Sequence, residues 1–245
     1  MEHNRETALL VGLLLVLLGT IGAFGYLWYS RTYKPGLLAC RRLTTLASSL
    51  HSTSPAWIQT SDVSTRGMLI PLLPIYSNEK ANISVEGRWS NDPVTVQFKL
   101  AVGPPQTSFW GDADPLGAYY PPVTSVRLTS KHHLAKRTGL IKTSKIENDV
   151  NNVLAGLGLA GKYRQVSDDM FAYGEEVKTA DFFNSDVLAL VSAFPRNLFV
   201  HPFDGPVIED SEITITWEGH ETDPKVIEAA FHLLTTISEA AVAAK

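Results

Sequence analysis

TALLVGLLLVLLGTIGAFGYLWYS, residues 7–30, contains no charged side chain and is bounded by Glu6 and Arg31. A helix rises about 1.5 Å per residue, so some 20 residues cross a hydrocarbon core about 30 Å thick. In lipid, every backbone N–H and C=O has to be paired within such a segment, which makes it a helix. Its C-terminal end carries Phe24, Tyr26, Trp28 and Tyr29, then Tyr33, and amphipathic rings favour the headgroup level. The stretch therefore reads as one retained transmembrane helix. A cleaved signal peptide would have a shorter apolar region with a small-residue cleavage site straight after it. A core helix that is apolar all round needs a larger protein to enclose it.

Arg5 and the α-amino group precede the span, and Arg31, Lys34, Arg41 and Arg42 follow it. Positive residues favour the cytoplasm, so the N-terminus is expected outside and the large C-terminal part in the cytoplasm. A periplasmic or lumenal domain is the alternative orientation. Trp28, Tyr29, Arg31, Tyr33 and Lys34 are expected at the membrane interface. Gly12, Gly19 and Ala23 fall near one helical face, with Gly22 beside them. Small residues let a second membrane helix approach closely, so this face is the expected docking side for a partner subunit.

Removing the span and its flank from the 245 residues leaves roughly 200, enough for one large or two small domains with a real core. A hydrophobic content of 44% and 14 prolines are ordinary for a globular chain. Net charge is −4, and basic residues cluster beside the span, so lipid is the expected partner and nucleic acid is not. Cys40 is the single cysteine, which excludes an internal disulfide and Cys-based zinc or iron–sulfur sites within this chain alone. Leu37-Leu38-Ala39-Cys40 is similar to a bacterial lipoprotein leader, but Arg31, Lys34 and Pro35 separate it from the apolar run, so a buried or membrane-proximal thiol is expected.

After the span, residues 36–51 read as a short amphipathic helix with Pro35 in its first turn and Leu37, Leu38, Leu43, Leu46 and Leu50 as apolar positions, to lie on the membrane surface or to pack on the domain. The Ser/Thr-rich stretch 52–66 reads as linker. This gives an anchor over 1–34, a helix and linker over 35–66, and a soluble domain over 67–245. In that domain, 67–76 is apolar with Pro71 and Pro74, which suits an irregular strand. Residues 83–89 and 94–100 alternate around Ser90-Asn91-Asp92-Pro93, a hairpin signal. Further strands are expected at 123–129, 162–166, 170–173, 197–201, 207–208 and 212–217. Helices are expected at 146–157, at 180–194 with Thr179 as cap, and at 224–244. The last has Asp223 as cap and Pro224 at its first position, and Val226, Ile227, Ala230, Phe231, Leu234, Ile237 and Ala241 recur at 3.6-residue spacing. Strands and helices do not alternate strictly, so the expected class is α+β with a mostly antiparallel sheet and packed helices.

Chemistry is sparse. Asp112 and Asp114 form a D-x-D pair in the long loop 103–122, but no third ligand follows at suitable spacing. Trp110, Tyr119 and Tyr120 in the same loop suit a partner surface or the membrane interface. His132 and His133 lie in a basic patch with Lys131, Lys136 and Arg137, which reads as a solvated loop. Gly156, Gly158 and Gly161 match G-x-G-x-x-G, but a helix precedes them where the dinucleotide fingerprint needs a strand. Asn82-Ile83-Ser84 matches an N-glycosylation sequon, which needs a secretory compartment. No nucleophile elbow, zincin helix, Walker loop or C-x-x-C is present, so no catalytic residue, cofactor or metal is expected.

In its pattern of segments over about half the chain (83–88, 94–100, 186–194, 197–200, 212–217 and 222–230) the sequence resembles uncharacterised bacterial single-span membrane-anchored proteins with a C-terminal α+β domain. That resemblance implies a soluble domain held at a membrane and supplies no functional residues. The expected role is an accessory or scaffold subunit of a membrane complex. The alternative is a membrane-tethered enzyme or ligand-binding domain that uses His132, His133, Asp112 and Asp114.

Overall fold

Alternating side chains over 82–99 set the centre of the fold. Residues 82–89 pair antiparallel with 92–99, Val85 opposite Val96 and Trp89 opposite Asp92. Ser90 and Asn91 join them with φ of 51° and 83°, the two positive values that a type I′ turn requires. The computed structural model describes residues 2–66, 82–100, 121–142, 162–174, 181–199 and 205–244. In chain order these form α1 (Glu2–Trp28), a π-helical turn (Tyr29–Tyr33), α2 (Lys34–Thr53), β1 (Trp57–Gln59), β2 (Ser64–Arg66), β3 (Asn82–Trp89), β4 (Asp92–Lys99), β5 (Val123–Thr129), β6 (Ala135–Lys142), β7 (Tyr163–Gln165), β8 (Met170–Gly174), α3 (Ser185–Ala193), β9 (Val207–Asp210), β10 (Glu212–Glu218) and α4 (Pro224–Ala243).

The strands make one antiparallel sheet in the order β1-β3-β4-β5-β10-β9-β6-β8-β7, with β2 also paired to β3. Four α-helices accompany it among the described residues, so the class is α+β with a large antiparallel sheet. From β3 to β10 one face is apolar and the other polar. Ile83, Val85, Val96, Phe98, Val126, Leu128, Ile213, Ile215 and Trp217 are buried, while Glu86, Arg88, Arg127 and Glu218 between them are exposed. That alternation is how an antiparallel sheet keeps one face on a core and one in water. α4 lies against β5 and β10, and α2 against β1 and β3.

The caps of α4 follow the sequence. The Asp223 carboxylate accepts from the Lys225 N–H, and Pro224 occupies the first turn. α3 begins later than its apolar run suggests. Asn184 caps it, accepting from the N–H groups of Asp186 and Val187, and 197–199 form no strand. The stretch 52–66 is not a simple linker: it completes α2 and adds β1 and β2 to the sheet edge. Trp57 explains this. Its ring stacks on Phe231 of α4 at 5.4 Å and lies over Gly87 of β3, where any Cβ would overlap it.

The segments 67–81, 101–120 and 143–161 lie outside the described residues, and with them the expected strand at 67–76, the long loop and the glycine motif.

Candidate functional site

The helical path does not break between α1 and α2. Pro35 has no N–H to donate, and its ring crowds the carbonyl four residues back, within Tyr29–Tyr33. That segment is a π turn, the kind of local widening that absorbs such a conflict without ending the helix. Beyond it, α2 is a core element. Gly36, Ala39, Leu43, Leu46, Ala47 and Leu50 are its buried positions. Leu37 and Leu38 are not among them: they are 40% and 46% exposed, on the side away from the sheet.

α2 also has a direction relative to the sheet. Near its middle, Arg42 is close enough to His220 to act on its charge. His220 donates to the Lys99 carbonyl at the end of β4 (3.1 Å) and stacks on Phe98 with centroids 4.7 Å apart. At the finish of α2, Thr53 donates to Glu228 (3.3 Å), and the Ser90 N–H at the β3–β4 turn donates to the Ala56 carbonyl (3.3 Å). The end of the sheet where β4 and β10 finish is therefore the end that α1 enters. Burial lowers the His220 pKa. The hydrogen bond to Lys99 opposes this, and Arg42 lowers it further, so the ring is neutral at pH 7.

The expected membrane-helix residues are placed as follows. Gly12, Gly19, Gly22 and Ala23 lie on α1 and are exposed, and a Cβ added at any of the three glycines would meet nothing. Every described side chain over Leu10–Tyr26 is exposed. Tyr29 is exposed, Tyr33 is half-buried with its ring 6.0 Å from that of Tyr29, and Lys34 is exposed. Trp28 and Arg31 belong to α1 and the π turn, and their side chains lie outside the described ones. Trp110, Asp112, Asp114, Tyr119 and Tyr120 also lie outside the described residues.

His132 and His133 are exposed on the β5–β6 connection, at the opposite end of the sheet from α1. His133 sits 3.9 Å from Asp210. Among the described residues, no group of three or more His, Cys, Asp or Glu gathers where it could hold a metal ion. Cys40 is half-buried and packs against the core.

One polar cluster was not visible in the sequence. The Glu221 side chain is 4% exposed. It takes two hydrogen bonds from Arg196 (2.9 and 3.3 Å) and one each from the N–H groups of Thr222 (2.9 Å) and Asp223 (3.0 Å). Its own N–H donates to Thr124 Oγ1 (2.8 Å), which donates in turn to the Gly219 carbonyl (2.7 Å). Burial pushes the Glu221 carboxyl up. Hydrogen bonds from Asp223, Arg196 and Thr222, with the Arg196 charge, outweigh it, so the pKa lies below the usual carboxylate value. The cluster ties the entry of α4 to β5 and to the loop after α3, which is structural work. A shallow cleft of about 170 Å³ lies next to it, lined by Lys142, Met170, Val191, Phe194, Arg196 and Leu198 among others. Both of its cations are already paired, Lys142 with Asp169 (3.0 Å) and Arg196 with Glu221.

By length and composition, one helix of the described residues is able to cross a membrane: Pro224–Ala243, which is 44% buried, while Leu10–Tyr26 counts as a shorter apolar helix. No protein-family model, curated protein or solved structure matches this chain.

Proposed function

We propose that α1 crosses the membrane as a single span and that the protein is an accessory or scaffold subunit of a membrane complex rather than an enzyme. The span docks on a partner helix through the Gly12, Gly19, Gly22 and Ala23 side, and the α+β body binds a partner on the cytoplasmic side. One observation carries this reading. An apolar helix with every described side chain over Leu10–Tyr26 exposed is joined without a break to a folded body. Water would not leave such a surface uncovered, and lipid or a neighbouring helix covers it. Pro224–Ala243 passes the same length test, but its apolar residues Val226, Ile227, Phe231, Leu234 and Ile237 are already buried on the sheet.

Purification of the tagged protein in mild detergent, with mass spectrometry of what stays bound, tests the role. A stoichiometric membrane-protein partner is the expected result. A monodisperse protein recovered alone would sink the scaffold reading. A C-terminal reporter that is active only in the cytoplasm tests the orientation, and its silence would reverse it.

A further inference from the structure

We propose that the first two turns of α2 form a collar that seats on an anionic lipid surface; this rests on the reading of α1 as a span. The helix has two opposed faces. At about 100° per residue, Gly36, Ala39, Leu43 and Ala47 share the side turned to the core, and Lys34, Leu37, Leu38 and Arg41 share the opposite side. Leu37 and Leu38 are the only large apolar side chains of α2 that are exposed. Further along the same side the residues are Thr45, Ser48 and Ser52, whose hydroxyls donate back to carbonyls of their own helix. Large exposed apolar side chains and the Lys and Arg residues of α2 are thus confined to the half that joins α1.

Lys34, Arg41 and Arg42 are exposed and have no ion pair among the described residues, as is also true of Arg88, Lys131, Lys162 and Lys225; what sets the first three apart is the absence of acidic residues around them in the sequence. No Asp or Glu occurs in residues 7–61, while residues 62–245 hold 23 Asp or Glu against 16 Lys or Arg. A leucine pair framed by unpaired cations, on a helix continuous with an apolar one, has the composition of a surface that lies at the headgroup–acyl boundary. Anionic lipids attract the collar and repel the acidic body beyond it, so the collar fixes how close and at what tilt the body sits.

The test uses the full-length protein with Cys40→Ser and a fluorophore at Leu38→Cys, Ser48→Cys or Val16→Cys. The protein is reconstituted into phosphatidylcholine vesicles, with or without phosphatidylglycerol, that carry nitroxide on the headgroup or the acyl chain. In vesicles with phosphatidylglycerol, headgroup quenching at Leu38→Cys is expected to be roughly threefold that at Ser48→Cys. It should fall toward the Ser48→Cys value in phosphatidylcholine alone and when Arg41→Glu is added. Equal quenching at the two positions in both lipids overturns the collar. So does a Leu38→Cys label shielded from aqueous iodide yet untouched by headgroup nitroxide, since a protein then covers that face. Acyl-chain quenching at Val16→Cys reports on the span separately. Its absence overturns the span reading and the collar with it, whereas quenching there with none at Leu38→Cys overturns the collar alone.

Discussion

α1 and α4 are both long apolar helices, and among the described residues length and composition rank α4 ahead of α1 as a membrane segment. Their difference lies in pattern. α4 keeps Lys225, His232 and Glu239 exposed and buries Val226, Ile227, Ala230, Phe231, Leu234 and Ile237 on the sheet. α1 has no charged residue from Thr7 onward, and its side chains over Leu10–Tyr26 are all exposed. One helix has one partner side; the other presents the same chemistry all round. Counting apolar residues misses this, and asking where each one points does not.

The largest effect should come from charging α1. Leu14→Arg with Leu17→Arg is expected to cost about 6 kcal/mol of membrane insertion, at about 3 kcal/mol per central arginine. Fractionation would show the protein leaving the membrane pellet while the melting transition of the body holds. A body that melts early instead would mean that α1 packs on it. The mirror experiment is Phe231→Ala in α4, which strips the partner of both Trp57 and Trp89. It should destabilise the body by about 3–5 kcal/mol in denaturant titrations with membrane retention intact. A change in membrane retention would break the contrast between the helices.

Smaller effects probe how α4 is held. Glu221→Gln leaves Arg196 without its charged partner and weakens three sets of hydrogen bonds, and is expected to cost about 1–3 kcal/mol. Gly87→Ala drives a methyl into the Trp57 ring and should cost about 1–3 kcal/mol. The mildest probe is pH. His220 and Glu221 both have lowered folded-state values, so the unfolded chain binds protons first on acidification. Stability is then full at neutral pH and declines below about 6.5 for His220 and below about 4.3 for Glu221, through their folded values. Unfolding midpoints measured across that window should fall, and Glu221→Gln should flatten the lower part of the curve.

Much of the fold was legible because its signals were local. Ser90-Asn91 between alternating strands, and Asp223-Pro224 before a 3.6-residue repeat, each specify an element on their own. Others depend on distant partners. β1 is three residues inside a Ser/Thr-rich stretch and exists because Trp57 finds Phe231 and Gly87, far away in sequence. The sequence put Leu37 and Leu38 on one apolar face with Leu43, Leu46 and Leu50, whereas the buried face takes in Gly36 and Ala39 and leaves those two leucines exposed. Glu221 carries no sequence signal, since its donors come from a loop and two backbone N–H groups.

The π turn at Tyr29–Tyr33 has a consequence for azimuth. Such a turn absorbs one extra residue while the helices on either side keep their bearing. Deleting one residue there should restore a plain α-helix with the body still facing the same compass direction around α1. Inserting one should swing the body by about 100° about the axis of α1, and would present a different flank to any neighbour that holds α1.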